Sequence, residues 1–405
     1  MAQRLRSALN GPGIEYDVVR DYRFLPDPDP RPRINLVLPG LSTADAFGGV
    51  VTGLNFFAGL KAALAEEGIE ARIITEEPIP SGDTVLSARP GLGDCPTHAL
   101  RANDDQLPVR ANDAFIVFNW WVSVNLDPVL AAQSAHFGRP ALPKIHLVQE
   151  YEPHFYSFSA AHALAREAFD GPWPLWAVFN THELHEFWTV QGHQAEKTWV
   201  FEPRMNAAIR PFADNLSAAE KTRTLLVYGR PQVPRNAFFL VRRGLEHWAL
   251  AHGAEHRDWR IVSAGMKHED IALGGGHKLV SLGKLSLDDY GQLLRKTAVG
   301  LSLMVSPHPS YPPLEMAHFG VRVVTNGYAN KRPAARHENL VAVPQMRPAG
   351  IAEMLEQEIR RFEAAPEAGL QARTHMPDYL EEDRIEGIED VAMELLTRLQ
   401  YRNTF

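Results

Sequence analysis

The apolar run Arg223–Tyr228 ends in Gly229-Arg230-Pro231, and Arg235 follows within one turn of chain. Two guanidiniums just past a strand can grip a diphosphate through charge-assisted, often bidentate hydrogen bonds, or they can be solvated surface charges. Farther on, Val299–Val305 is an apolar run of strand length, followed by the proline-rich loop Ser306–Pro313. A short helix with Pro313 in its first turn then runs to Phe319, Gly320 stops it, and Val321–Thr325 forms the next strand. Glu315 lies at the start of that helix, either as a carboxylate interacting with the helix macrodipole or as an acceptor for a ligand hydroxyl. Gln149-Glu150-Tyr151-Glu152 follows the apolar run Lys144–Gln149, and Trp120-Trp121 follows Asp113–Phe118. Flat rings and carboxylates at strand ends suit sugar recognition; core packing is the alternative for the tryptophans, and it holds for at least one of them. Gly48-Gly49 marks a strand-to-helix turn, where bare backbone and a helix N-terminus can meet an anion, although a tight turn alone also calls for glycine.

Other chemistries are missing from the chain. No GxGxxG follows a strand and no GxxxxGK[ST] occurs, so neither the dinucleotide fingerprint nor the P-loop is present. His182-Glu183-Leu184-His185-Glu186 has Glu186 where a HExxH zinc motif needs histidine, and no metal site is expected. No GxSxG nucleophile elbow occurs. A formal charge of -8 argues against a nucleic-acid partner. The single cysteine, Cys95, lies in a Gly/Pro-rich loop and fits a reducing compartment better than a catalytic role. No apolar run approaches the ~20 residues of a membrane-spanning helix. Arg4 and Arg6 precede no apolar segment, so the expected location is cytoplasmic.

The elements that position these residues read as two α/β halves, in keeping with 405 residues. Residues 1–32 form an irregular arm, because Pro26–Pro32 removes donors and restricts its neighbours. Domain one spans 33–205, with strands expected at Arg33–Leu38, Glu70–Thr75, Asp113–Phe118, Lys144–Gln149, Leu175–Asn180 and Lys197–Phe201. Residues 76–112 read as a long irregular connection. Thr181 caps a helix to Trp188. Domain two spans 206–375 and restarts the pattern at Arg223, with Asn236 opening a helix. Residues 376–405 form an amphipathic tail that packs back on domain one.

This architecture resembles the GT-B fold of glycosyltransferases, an α/β fold of two Rossmann-like, doubly wound domains facing across a cleft. The second half is similar to the retaining enzymes of glycosyltransferase family 4. Their G-R-x-x-x-x-K arrangement matches Gly229-Arg230-Pro231-Gln232-Val233-Pro234-Arg235, with arginine in place of lysine. The second glutamate of their E-x7-E segment matches Glu315, while the first falls on Pro307. A closer resemblance is to WsaF-type rhamnosyltransferases, carried by Phe47-Gly48-Gly49, Gln149 to Pro153, Tyr228 to Pro231 and Ser306 to Glu315.

The resemblance implies a metal-independent, retaining transfer of L-rhamnose from dTDP-β-L-rhamnose onto a glycan or lipid-linked glycan hydroxyl. The nucleotide sugar is a co-substrate and no cofactor is required. Arg230 and Arg235 take the diphosphate, and Gly229, Ser306, His308, Ser310, Tyr311 and Glu315 complete the donor side. Gly48, Gly49, Trp120, Gln149 and Tyr151 belong to the acceptor and phosphate side. Glu150 and Glu152 are the candidate catalytic carboxylates, or position the acceptor. Work at the inner face of the cell membrane, through the acceptor, is the expected setting. A GT-B sugar-nucleotide 2-epimerase and a non-catalytic sugar-nucleotide or glycan-binding module are the alternatives.

Overall fold

The computed structural model describes residues 18–42, 48–81, 85–86, 89–381 and 385–403. The chain divides into two compact units, Met1–Phe201 with Ile385–Phe405, and Glu202–Arg384. Among the described residues no helix is long and apolar enough to cross a membrane.

Unit 1 is built on seven strands: β2 (Arg33–Leu38), β3 (Glu70–Thr75), β4 (Thr97–Ala99), β6 (Asp113–Val117), β7 (Lys144–Val148), β8 (Leu175–Asn180) and β9 (Lys197–Phe201). They lie in the order β4-β3-β2-β6-β7-β8-β9 and every pair is parallel. Strands covered by helices on both faces must be apolar along their whole length, and β6, β7 and β8 are buried at every residue. Several of the polar groups that enter β2, β3 and β6 are paired. The Arg33 guanidinium makes two bonds of 2.8 and 2.7 Å to the buried Asp113 carboxylate, and Arg72 donates to Asn35 at 2.8 Å.

Two expectations fail in this unit. The arm contains a strand, β1 (Arg23–Pro26), and the connection 76–112 contains β4 and β5 (Gln106–Val109). β1 and β5 pair in parallel as a two-stranded sheet. Both carry proline, which hides an edge strand from a sequence pattern.

Unit 2 repeats the plan with β10 (Thr224–Gly229), β11 (Arg260–Gly265), β12 (Ile271–Gly274), β13 (His277–Gly283), β14 (Val299–Leu301), β15 (Arg322–Thr325) and β16 (Leu340–Ala342). The order is β12-β13-β11-β10-β14-β15-β16, parallel except for the antiparallel edge strand β12. β12 is missing from the sequence reading because Gly274-Gly275-Gly276 and one buried side chain, Leu273, leave little pattern.

In each sheet the chain order reverses beside the first strand, between β2 and β6 in unit 1 and between β10 and β14 in unit 2. Ligands of open α/β sheets bind at such switch points, outside the carboxyl ends of the strands. β10 ends in Gly229 with Arg230 after it, and the Ser306 loop follows β14, so both lie at this point of unit 2. The C-terminal helix Ile388–Asn403 packs on the helix Gly48–Ala63 of unit 1. Gly59 makes room for it: a Cβ there would stand 2.5 Å from Ile388 Cδ1.

Candidate functional site

In unit 2 the two loops flanking the switch point are tied together. Val305 N donates to Arg235 O at 2.7 Å, and Asn236 Nδ2 donates to Leu303 O at 3.2 Å. Asn236 was expected to open a helix; it is instead buried as a loop tie, and the helix runs Phe238–His252 after Ala237 in the left-handed region. The Met304 backbone is held twice by the Asn326 amide, at 2.7 and 2.9 Å, and its carbonyl also accepts from the buried Lys331 ammonium at 2.6 Å. Gly229 serves packing, since a Cβ there would meet Ser263 Oγ at 2.0 Å.

The Ser306 loop is shaped by its own side chains. Ser306 Oγ accepts from His308 N at 3.1 Å, and His308 Nδ1 accepts from Ser310 N at 3.0 Å. Ser310 holds φ 73° and ψ 139°, a conformation rare for a residue with a Cβ and costly by about 1–3 kcal/mol. Ser306, His308 and Ser310 are all buried. Burial pushes the His308 imidazole down to about 3, helped by nearby Lys331, Arg336 and Arg235, so it stays neutral. Its Nε2 is closed off inside the protein. The ring therefore shapes the loop, whereas Arg230, Arg235, Tyr311 and Glu315 keep part of their surface exposed.

Glu315 was expected at the start of its helix. The helix begins earlier, at Tyr311, so Glu315 lies in the second turn and the first turn holds no acid. The macrodipole reading loses its basis with that shift. The partner in the structure is the Tyr290 hydroxyl, which donates to Glu315 Oε2 at 3.0 Å. Part of Glu315 reaches solvent, yet burial of its carboxyl pushes the pKa up to about 7, against the lowering effect of that bond. The Tyr228 hydroxyl lies within the fields of Arg230, Glu315 and Arg235; burial raises its pKa and the arginines oppose the rise. Glu315, far along the chain from Arg230 and Arg235, thus shares their neighbourhood. Tyr228, Tyr290 and Lys331 belong to it as well. Tyr290 gave no sequence signal, being one polar position on an amphipathic helix, and Lys331 sits in a loop with no pattern.

In unit 1 the residues after β7 are pinned one by one. Gln149 Nε2 donates to Gly49 O at 2.9 Å, which brings these two motif residues together at the start of the helix Gly48–Ala63. Phe47 lies outside the described residues. The Glu152 carboxylate accepts from Trp120 N and so caps the helix Trp120–Phe137. Trp120 is fully buried and its Nε1 donates to the Tyr156 hydroxyl at 2.9 Å. Its ring is core, not a platform for a sugar face. Trp121 is half-buried and donates to the buried Glu76 carboxylate at 2.8 Å. Tyr151 is 1% exposed, and Glu150 beside it is half-exposed.

Elsewhere in unit 2, among the described residues, ligand atoms of Glu255, His256 and Glu356 lie within 4.8 Å of one another. Trp248 and Arg360 already occupy the Glu356 carboxylate, so this group reads as an ion-pair network between helices.

Residues 33–182 match the family model described as "WsaF, N-terminal domain", and residues 223–356 match "WsaF, C-terminal domain". The chain belongs to the WsaF family. Its fold is that of the GT-B glycosyltransferases. Sucrose-phosphate synthase from Thermosynechococcus elongatus is similar over 92% of this chain and 100% of its own, with TM-score 0.57 and 16% identity. WaaG, a glycosyltransferase involved in lipopolysaccharide biosynthesis, is similar over 89% of this chain and 99% of its own, with TM-score 0.50 and 14% identity. In sequence, the O-antigen biosynthesis protein RfbC of Myxococcus xanthus is 32% identical over 206 residues. That stretch is 51% of this chain but 16% of the relative, so the WsaF-family chain spans only a small part of that protein's length.

Proposed function

We propose that this protein transfers a sugar from a nucleotide-diphospho-sugar to a glycan hydroxyl during synthesis of a cell-surface polysaccharide such as O-antigen. We further propose that the donor is dTDP-β-L-rhamnose. The observation that carries the reading is the convergence of Arg230, Arg235 and Glu315 at the switch point of unit 2. The similarity to an O-antigen biosynthesis protein supports the pathway class, and the WsaF resemblance supports the donor.

When the sugar–oxygen bond breaks, negative charge builds on the leaving diphosphate. Arg230 and Arg235 would stabilise that charge. Glu315 would accept a hydrogen bond from a pentose hydroxyl. A deoxyribose offers its 3′ hydroxyl alone, and one carboxylate suffices for it, which fits Pro307 at the other acidic position. Glu150 is the unit 1 carboxylate best placed to act on the acceptor, since Glu152 caps a helix. Retention of configuration follows the family, and a lipid-linked acceptor would bring the protein to the inner membrane face.

The test is nucleotide release from a panel of sugar nucleotides, with and without a fragment of bacterial O-polysaccharide as acceptor. Acceptor-dependent dTDP release from dTDP-β-L-rhamnose is expected. Rapid donor turnover without acceptor would favour the epimerase, and binding without release a recognition module.

A further inference from the structure

Beyond the C-terminal end of β7, four side chains of unit 1 close a hydrogen-bonded ring. Arg166 Nη1 donates to the Tyr151 hydroxyl at 3.2 Å, and that hydroxyl lies 2.9 Å from His193 Nε2. His193 Nδ1 lies 2.5 Å from Asp170 Oδ1, and Arg166 Nη2 returns to Asp170 Oδ2 at 3.3 Å. The donor directions follow from the groups themselves. A guanidinium only donates and an ionised carboxylate only accepts. The Tyr151 proton therefore goes to Nε2, and the imidazole donates its own proton from Nδ1 to Asp170. Burial lowers the His193 pKa, against the raising effect of Asp170, and so favours the neutral imidazole that can accept the Tyr151 proton.

The ring joins three pieces of chain: the segment Gln149–Pro153, the helix Ala160–Asp170 and the turn after the helix His182–Val190. Tyr151 and His193 are buried, with the Tyr151 ring stacked on Phe169 at 6.1 Å and edge-on to Phe187 at 5.1 Å. Buried as it is, Tyr151 touches no acceptor. What it fixes is its neighbour, because Glu150 lies between two anchored residues, Gln149 on Gly49 and Tyr151 in the ring. An apolar side chain would fill the same core space without defining one geometry; a closed polar network in low dielectric defines it.

We propose that the Arg166–Tyr151–His193–Asp170 ring is a positioning device that holds the Glu150 carboxylate in register for sugar transfer. The proposal rests on the glycosyltransferase reading above. Tyr151→Phe keeps the aromatic packing and removes the hydroxyl. With dTDP-β-L-rhamnose and the O-polysaccharide fragment, kcat falls about 10- to 100-fold, the scale of a small misplacement of a reacting group, while KM for the donor stays within about twofold. Asp170→Asn, whose amide oxygen still accepts from His193, keeps most of the rate, whereas Asp170→Leu loses as much as Tyr151→Phe. Glu150→Gln is slow by itself, and adding Tyr151→Phe slows it no further, because both changes remove one function. Losses that multiply, or a Tyr151→Phe variant at the wild-type kcat, overturn the ring. If Tyr151→Phe does not fold, Asp170→Leu at the half-exposed end of the ring decides in its place. A wild type that transfers sugar from no donor in the panel overturns the glycosyltransferase reading, a result distinct from failure of the ring.

Discussion

Glu315 keeps its proton at a pH where an exposed glutamate has lost it, because burial raises its pKa to about 7. Below about pH 4 the group is protonated in both folded and unfolded chains and contributes nothing. As pH rises past that point the unfolded chain ionises first. Wild-type stability therefore falls, and the loss is complete above about pH 7. Glu315→Gln removes the penalty while its amide oxygen still accepts from Tyr290. The variant should match wild type near pH 4 and gain stability progressively to pH 8.5, by at most about 3 kcal/mol, less in proportion to the solvent that reaches the carboxylate. Urea unfolding at the two pH values checks this, and equal stability differences at both would contradict it. The same residue shows how far the sequence went. A carboxylate near a strand's C-terminal end was legible; its bond from the Tyr290 hydroxyl and its closeness to Tyr228 were not, because those residues lie on a separate helix and strand that only the fold brings together.

Among the elements, β10 with its following loop is the one that presents Arg230, and Gly229 lets it pass close to β11. Gly229→Ala would place a Cβ 2.0 Å from Ser263 Oγ and 3.0 Å from Phe238 Cε2. Overpacking of this kind costs about 1–3 kcal/mol or more, and Ser263→Ala in the same chain should recover part of it. Melting temperatures of the single and double variants measure both effects; a double variant no better than Gly229→Ala would contradict the account. Most sheet strands were legible for a physical reason. Parallel strands buried on both faces read as apolar runs, and Arg33–Leu38, Glu70–Thr75 and Leu175–Asn180 fall on their expected bounds, as does the partly exposed edge strand Lys197–Phe201. The misses are short edge elements. β1 and β5 carry proline and pair with each other, far apart in sequence, while β12 runs into three glycines before it meets the adjacent strand β13.

At the scale of the molecule, each unit has a core of its own, and the unit 1 core includes the chain's last helix. Ile388, Val391, Leu395 and Leu399 are buried there with strands and helices from the first two hundred residues. Removing residues 385–405 takes away these side chains, each worth about 1.5–3 kcal/mol when fully buried, so unit 1 should lose at least about 5 kcal/mol. Hydrogen exchange should show protection lost in β2, β3, β6 and β7 and kept in β10, β11 and β14; undiminished protection in unit 1 would contradict that placement. The proposed donor site lies in unit 2, where the switch point of the sheet gathers Arg230, Arg235 and Glu315. The direct measurement is acceptor-dependent dTDP release from dTDP-β-L-rhamnose by wild type and by Arg230→Ala. The account predicts a rate about 10²- to 10³-fold lower in the variant with an unchanged circular dichroism spectrum, and an Arg230→Ala protein working at the wild-type rate would contradict it.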